Sequence, residues 1–473
     1  MAAILAVAVY LTTGDRTMTD AQPSLEFIPP AYNTFVWQGS RSVLPLWLRY
    51  RQGLTEVRVD NPEELIELYQ QFQQGKTRFL LAFRHPSTLD PPCIAQLLWN
   101  LIPQIARKQG TPLKLPVHAH FIYDRGIPLW AGKQVGWLIS QLGGTPIRRG
   151  TLDRQGLRSV RDLFVSGSFP IAAAPEGATN GHNEIISPLE PGIAQFGFWC
   201  WEDLQKAKLD LEVAIAPLGI KYHFFTAPWQ SLEKLLVQLE VDSGLKDKPV
   251  ASMGLVDGKE LTAEQEKILY QRLYSLAEYL LSLIENFYSK FYQQDVEGED
   301  KELPERLRTL LDSALSVAEK AFAVKPNGSL SDRCRRVEQA GWDRIYRQDI
   351  SELDRLAPAQ KGLADLVASE AELRLWHMRL VENFVSVTGR YVAEQPTVDR
   401  FADTLLLLWK LMARLKGKSN PNPPFLGKKW AQMTVQKPLL ISNYYSDYKS
   451  NRRQTVNSLT QDLRTSLEQA IGL

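Results

Sequence analysis

Up to Pro228, short apolar runs alternate with stretches whose apolar residues recur at helical spacing. Glu56 to Val59, Arg78 to Phe83, His118 to Tyr123, Thr145 to Arg148, Phe169 to Ala173 and Val213 to Pro217 read as strands. Between them, Pro62 to Gln74, Pro91 to Lys108, Ile127 to Leu142, Leu152 to Ser166 and Glu190 to Lys208 read as helices. Asn61 is placed to cap the first of these, with Pro62 in its first turn. This alternation predicts an α/β fold with a mostly parallel sheet flanked by helices.

After Pro228 the pattern turns helical: Leu232 to Leu239, Leu261 to Tyr292, Leu303 to Phe322, Leu363 to Tyr391 and Val398 to Leu415. A Pro/Asn-rich stretch at 419–424 closes this region. Ala431 to Leu439 then alternates like a strand, and a last helix is expected from Arg452 to Ala470. The division expected is a flexible N-terminal tether at 1–34, the first part of the α/β domain at 35–229, a large all-helical insertion at 230–427, and a final strand and helix of the α/β domain at 428–473. The alternative is a separate carboxy-terminal helical domain with a stray strand. Residues 35–51 mix aromatics, aliphatics and arginines, which suits either a membrane interface or a core-packed amphipathic helix.

Apolar residues make up 44% of the 473, enough for a packed protein. Lys plus Arg exceed Asp plus Glu by 55 − 53 = 2, which argues against a nucleic-acid binder driven by overall charge. Cys93, Cys200 and Cys334 form no CxxC pair, so a reducing compartment without disulfides or a zinc site is expected. Met1 to Leu11 is apolar but too short to span a bilayer and lacks the basic start of a secretory signal. The expectation is that translation begins at Met18.

Four blocks carry the candidate chemistry: His85-Pro86-Ser87-Thr88-Leu89-Asp90, Gly144-Thr145-Pro146-Ile147-Arg148-Arg149-Gly150, Pro175-Glu176-Gly177 and Ala216-Pro217-Leu218. A histidine can take a hydroxyl proton near neutral pH, and a carboxylate can hold its other ring nitrogen. On a continuous helix His85 and Asp90 would not share a face, but Pro86, Pro91 and Pro92 favour a turn that could bring them together. Asp90 before Pro91 is equally suited to capping a helix. Arginine's planar fork matches phosphate. Three blocks fall at or just beyond strand carboxyl ends, where open α/β sheets bind ligands; the fourth, a common strand-end pattern, lies in a strand.

The order and spacing of these blocks resemble the glycerolipid acyltransferase family, of the 1-acyl-sn-glycerol-3-phosphate acyltransferase type with its His-x4-Asp motif. The resemblance covers about residues 50–228 and 428–473, where Gln436-Lys437-Pro438-Leu439 is similar to a Gly-x-Pro-like turn of the family. It implies transfer of a fatty acyl group from acyl-CoA or an acyl-carrier protein to a lysophosphatidic-acid-like lipid at a membrane surface. It implies no cofactor, metal or nucleic acid, and a cytoplasmic, peripherally membrane-associated enzyme. His85 would be the base and Asp90 its orienting partner. Arg148 and Arg149 would meet the acceptor phosphate. Glu176 would bind an acceptor hydroxyl or pair with those arginines, and Gly177 would fit a turn. Ser87 reads as a local hydrogen-bonder. Two departures stand out: Thr179 where the family often has Arg, and Arg84 where Asn is frequent, offering a replacement charge. In the helical region Trp342, Trp376, Trp409 and Tyr270 read as core, and His377 as packed or exposed. Arg333, Arg335 and Arg336 are either a basic face for an acidic carrier protein or a solvated helix face.

Overall fold

A computed structural model describes residues 19–148, 152–296, 301–350, 352–418 and 422–473. Arg149, Gly150 and the expectation about Met18 lie outside the described residues. Eight strands form one mostly parallel sheet: β1 (Leu54–Asp60), β2 (Thr77–Phe83), β3 (His120–Asp124), β4 (Thr145–Ile147), β5 (Ile171–Ala173), β6 (Glu212–Phe224), β7 (Lys429–Val435) and β8 (Leu439–Leu440). Their order is β1-β7-β6-β2-β5-β3-β4, with β8 also on β6. β7 and β8 pair antiparallel with β6, and β1, parallel to β7, runs in their direction.

Alternation along β2 and β6 builds two cores. Phe79, Leu81, Phe83, Ala216, Leu218, Ile220 and Tyr222 face one side. Leu80, Ala82, Val213 and Ile215 face the other. Helix α1 (Thr34–Arg51), capped by the Asn33 side chain, covers the first face with Trp37 and Leu48 buried. That favours core packing for residues 35–51, although Phe35 and Tyr50 stay exposed. Helix α2 (Pro62–Gln73) follows β1, but Asn61 does not cap it by side chain. Asn61 is left-handed, and its amide donates to the Val435 carbonyl at 3.1 Å, tying β7 in place.

The helix after the first block runs as α3 (Asp90–Gln96) and α4 (Ile102–Lys108), joined by a π turn at Leu97–Leu101. Pro103 has no N–H to donate one turn back, and the ladder widens so that Ile102 donates to Leu97. The next expected helix divides at Gly132 into α5 (Ile127–Ala131) and α6 (Lys133–Gln141). Helices α7 (Arg154–Ser166) and α8 (Gly192–Lys206) cover the second face.

Between β6 and β7 lies a helical region with its own core: α9 (Trp229–Ser243), α10 (Ala263–Tyr292), α11 (Leu303–Phe322), α12 (Leu330–Ile345), α13 (Pro358–Phe384), α14 (Tyr391–Glu394) and α15 (Val398–Leu415). The expected helix over 363–391 instead stops at Phe384 and turns at Gly389 (φ +73°) before α14. For α12 the sequence suggests a helix face at Arg333 to Arg336 but not its bounds. Trp342, Trp376, Trp409 and Tyr270 pack against this core, and buried His377 meets the Tyr288 hydroxyl at 2.6 Å. The chain returns through β7 and β8 to α16 (Ser442–Ser450) and α17 (Arg452–Ala470).

Residues 19–33 are not a tether. Gln22–Pro23 pairs with Tyr346–Arg347, Ala21 N donates to Asp365 at 3.0 Å, and Ala31 N donates to Ser140 O at 2.9 Å. They strap the helical region to the sheet domain. Among the described residues, no helix is long and apolar enough to cross a membrane.

Buried histidines give the fold a pH dependence, and His118 is one of them. His118 accepts the Trp99 indole N–H and donates to Leu142 O, so it is held neutral. Burial pushes its pKa down to about 4. The unfolded chain therefore binds the extra proton as pH falls below about 6.5, and stability is lost between there and pH 4. At pH 5 His118 is expected to cost about 2 kcal/mol relative to neutral pH. Urea unfolding of wild type and His118→Gln at pH 7 and pH 5 checks this. Equal falls in both proteins would remove His118 as the cause.

Candidate active site

The site is assembled by register. In the parallel β2–β5 pair Ala82 lies opposite Ala173, so His85 and Glu176 each follow three residues beyond a matched pair. Both land at the same carboxyl end of the sheet. The turn after β2 then brings back Asp90. As the first residue of α3, it is followed by Pro91 and Pro92, which have no N–H for a cap to accept. Its carboxylate turns back instead: Oδ2 accepts from Ser87 N at 2.9 Å and meets His85 Nδ1 at 2.8 Å. Asp90 is therefore the histidine's partner and not a helix cap. Ser87 Oγ accepts from Leu89 N at 3.2 Å, as a local hydrogen-bonder.

Asp90 is fully buried, whereas the His85 side chain keeps 19% of its surface exposed. An ionised carboxylate only accepts, so it fixes the proton on Nδ1 and leaves Nε2 as a base facing out. The other carboxylate oxygen, Oδ1, accepts the Tyr222 hydroxyl at 2.5 Å. Burial first, and the Asp90 charge next, hold the Tyr222 hydroxyl well above its usual range, so it remains a donor. The sequence reading missed Tyr222 because it ended the strand at Pro217. β6 continues to Phe224, and strand alternation from Leu218 would have put Tyr222 on the His85 side. Replacing Tyr222 by Phe leaves Oδ1 buried without that donor. The expected loss is about 2 kcal/mol of stability, read from urea unfolding; an unchanged midpoint would show that the hydroxyl does not hold Asp90.

Glu176 is buried, with both carboxylate oxygens engaged: Oε1 accepts from His85 N at 2.8 Å, and Oε2 from Ser187 N at 2.8 Å and Asn180 Nδ2 at 3.0 Å. It fixes the His85 backbone to the 174–187 loop. Gly177 makes the turn with φ +75°. Asn180, Asn183 and Ser187, polar residues in an unpatterned loop, carried no signal in the sequence. Asn183 links the loop to β6 and the helical region: its side chain accepts from Tyr222 N at 2.8 Å, and its N–H donates to Asp403 Oδ2 at 2.8 Å.

Arg148 does not join this group. It follows β4, three strands from β2, or about 14 Å across the sheet. Its guanidinium pairs with Asp343 of α12 at 2.6 Å, and its N–H donates to Asp153. Arg84 is not a replacement phosphate charge either: it is fully buried, with its guanidinium among the carbonyls of His182, Asn183, Ile185 and Ile220. The fourth block is internal to β6. The arginines of α12 are engaged within the chain: Arg333 pairs with Glu319 and Asp312, Arg335 with Glu190, and Arg336 donates to Asn327 O. Among the described residues no three His, Cys, Asp or Glu side chains converge on a metal position. Comparison of the chain with protein-family models, with curated proteins and with solved structures finds no match.

Proposed function

We propose that the chain is an O-acyltransferase that moves a fatty acyl group from acyl-CoA or acyl-carrier-protein thioester to the free hydroxyl of a lysophosphatidic-acid-like lipid, working peripherally at a membrane surface on the cytoplasmic side. One observation carries the reading: an outward-facing imidazole whose Nδ1 is held by a fully buried carboxylate at 2.8 Å. In the step proposed, His85 Nε2 takes the hydroxyl proton as the oxygen attacks the thioester carbonyl. The new C–O ester bond forms, the C–S bond breaks, and the imidazolium returns its proton to the departing thiolate. Asp90 stabilises the imidazolium. Glu176 and Gly177 set the backbone of the site.

The family resemblance would give the acceptor phosphate to Arg148 and Arg149, but Arg148 stands three strands from the His85 strand and is paired with Asp343, so no phosphate ligand is assigned. With Arg148 held by Asp343, the acceptor is less defined than the reaction, and a second reading keeps the same chemistry with another acceptor such as glycerol 3-phosphate or a different lysophospholipid. Purified protein given labelled acyl-CoA or acyl-carrier protein with a panel of these acceptors tests both. Labelled ester on lysophosphatidic acid supports the first, and ester only on another acceptor supports the second. No ester on any acceptor would overturn acyl transfer in favour of a non-catalytic lipid-binding protein.

A further inference from the structure

The helical region holds a partly open, largely apolar cleft between its helices. Tyr270, Leu273, Ala277, Leu280 and Ile284 of α10 line one wall. They form a single helical stripe spanning about 21 Å of axis. Helices α11, α13 and α15 supply the other walls, and no Asp, Glu, Lys or Arg lines the space. Apolar walls facing a cleft forfeit the dispersion contacts that a fitting apolar ligand would supply.

Hydroxyls reach the lining at Tyr270, Tyr274 and Thr404, and at one place two polar rings meet. His182 and Tyr391 stand in ring contact, with centroids 5.2 Å apart. His182 belongs to the 174–187 loop, the same loop whose Glu176 holds the His85 backbone. Tyr391 donates to Asp403 Oδ2 at 3.0 Å, which also accepts from Asn183 N. Asn183 in turn accepts from Tyr222 N, and the Tyr222 hydroxyl holds Asp90. The cleft wall is thus hydrogen-bonded, link by link, to the His85–Asp90 pair.

We propose that this cleft holds one long unbranched acyl chain, its polar end toward His182. The long apolar stripe, the uncharged walls and the His182–Tyr391 pair fit that ligand, and a nucleotide or a sugar phosphate would find no charged partner. That the chain is a substrate's rests on the acyl-transfer reading; that the cleft takes such a chain does not.

The probe is the naturally fluorescent fatty acid cis-parinaric acid, titrated into the full chain. Ala277→Trp and, independently, Thr404→Phe fill the cleft from two helices, with melting curves to show that each variant folds. Both are expected to bind the probe at least about tenfold more weakly, while His85→Ala binds as wild type does. Wild-type affinity in folded, filled variants would overturn the proposal. In transfer assays Ala277→Trp should slow long-chain thioesters and spare acetyl thioester if the donor's chain occupies the cleft. If the acceptor's chain does, the loss follows acceptor length. A loss independent of both lengths counts against a substrate chain. Should no acceptor be acylated while the filled variants still lose the probe, the transfer reading falls and the cleft assignment stands.

Discussion

His85→Ala is expected to lower acyl transfer by on the order of 10³-fold, with the fold intact. The imidazole sits at the sheet's carboxyl end with part of its surface open, and its only side-chain hydrogen bond among the described residues runs to Asp90. Removing it deletes the base without opening a core. Asp90→Asn is expected to cost nearly as much rate for a different reason. An amide can present its N–H₂ to Nδ1, which moves the ring proton to Nε2 and leaves no base facing the acceptor. The same change meets two donors, Ser87 N and the Tyr222 hydroxyl, that now find fewer acceptors, so Asp90→Asn should also lose stability. Single-turnover rates with acyl-CoA, taken alongside urea unfolding, separate the two. His85→Ala should change the rate alone and Asp90→Asn both. A His85→Ala protein that transfers at the wild-type rate would defeat the mechanism.

That pair was legible because it is local: two residues five apart, with prolines that disfavour a continuous helix. The strands were legible as apolar runs, and so was the α/β character. What the sequence hid is register and long-range pairing. Nothing local says that Ala82 pairs with Ala173, yet that register alone brings Glu176 under His85. Pro217 looked like a strand end because proline lacks a ladder donor. It is tolerated inside β6 because its neighbour changes there: β7 pairs from Leu218 onward, β8 pairs with Ala214 and Ile215, and the turn between them reaches Pro217 only through Gln436 N, which donates to its carbonyl. The arginines misled most. Arg148 and Arg333 looked like free charges, but Asp343 pairs with Arg148 from 195 positions along the chain, and Glu319 and Asp312 pair with Arg333 from a neighbouring helix. An acidic partner that far away leaves no trace in a local window.

Arg84 carries the sharpest consequence of that blindness. Its side chain is fully buried, and among the described residues no carboxylate pairs with it. Its guanidinium instead donates to Ile220 O at 3.0 Å, Ile185 O at 2.6 Å, Asn183 O at 2.5 Å and His182 O. Those four carbonyls join the 182–185 segment to β6, and the same segment continues into Ser187, which holds Glu176 against His85. Methionine would fill much of the space but donate nothing. Each carbonyl left buried without a donor costs about 1–3 kcal/mol, so Arg84→Met is expected to lose at least about 4 kcal/mol of stability. Lysine, with a single ammonium in place of the fork, should recover only part of it. Urea unfolding measures the loss, and limited proteolysis should cut within 176–187 sooner in the variant than in wild type. If Arg84 instead served a substrate phosphate, Arg84→Lys would raise the acceptor KM and leave the unfolding midpoint alone. The geometry requires the opposite split: a lowered midpoint, with the acceptor KM of the folded fraction unchanged.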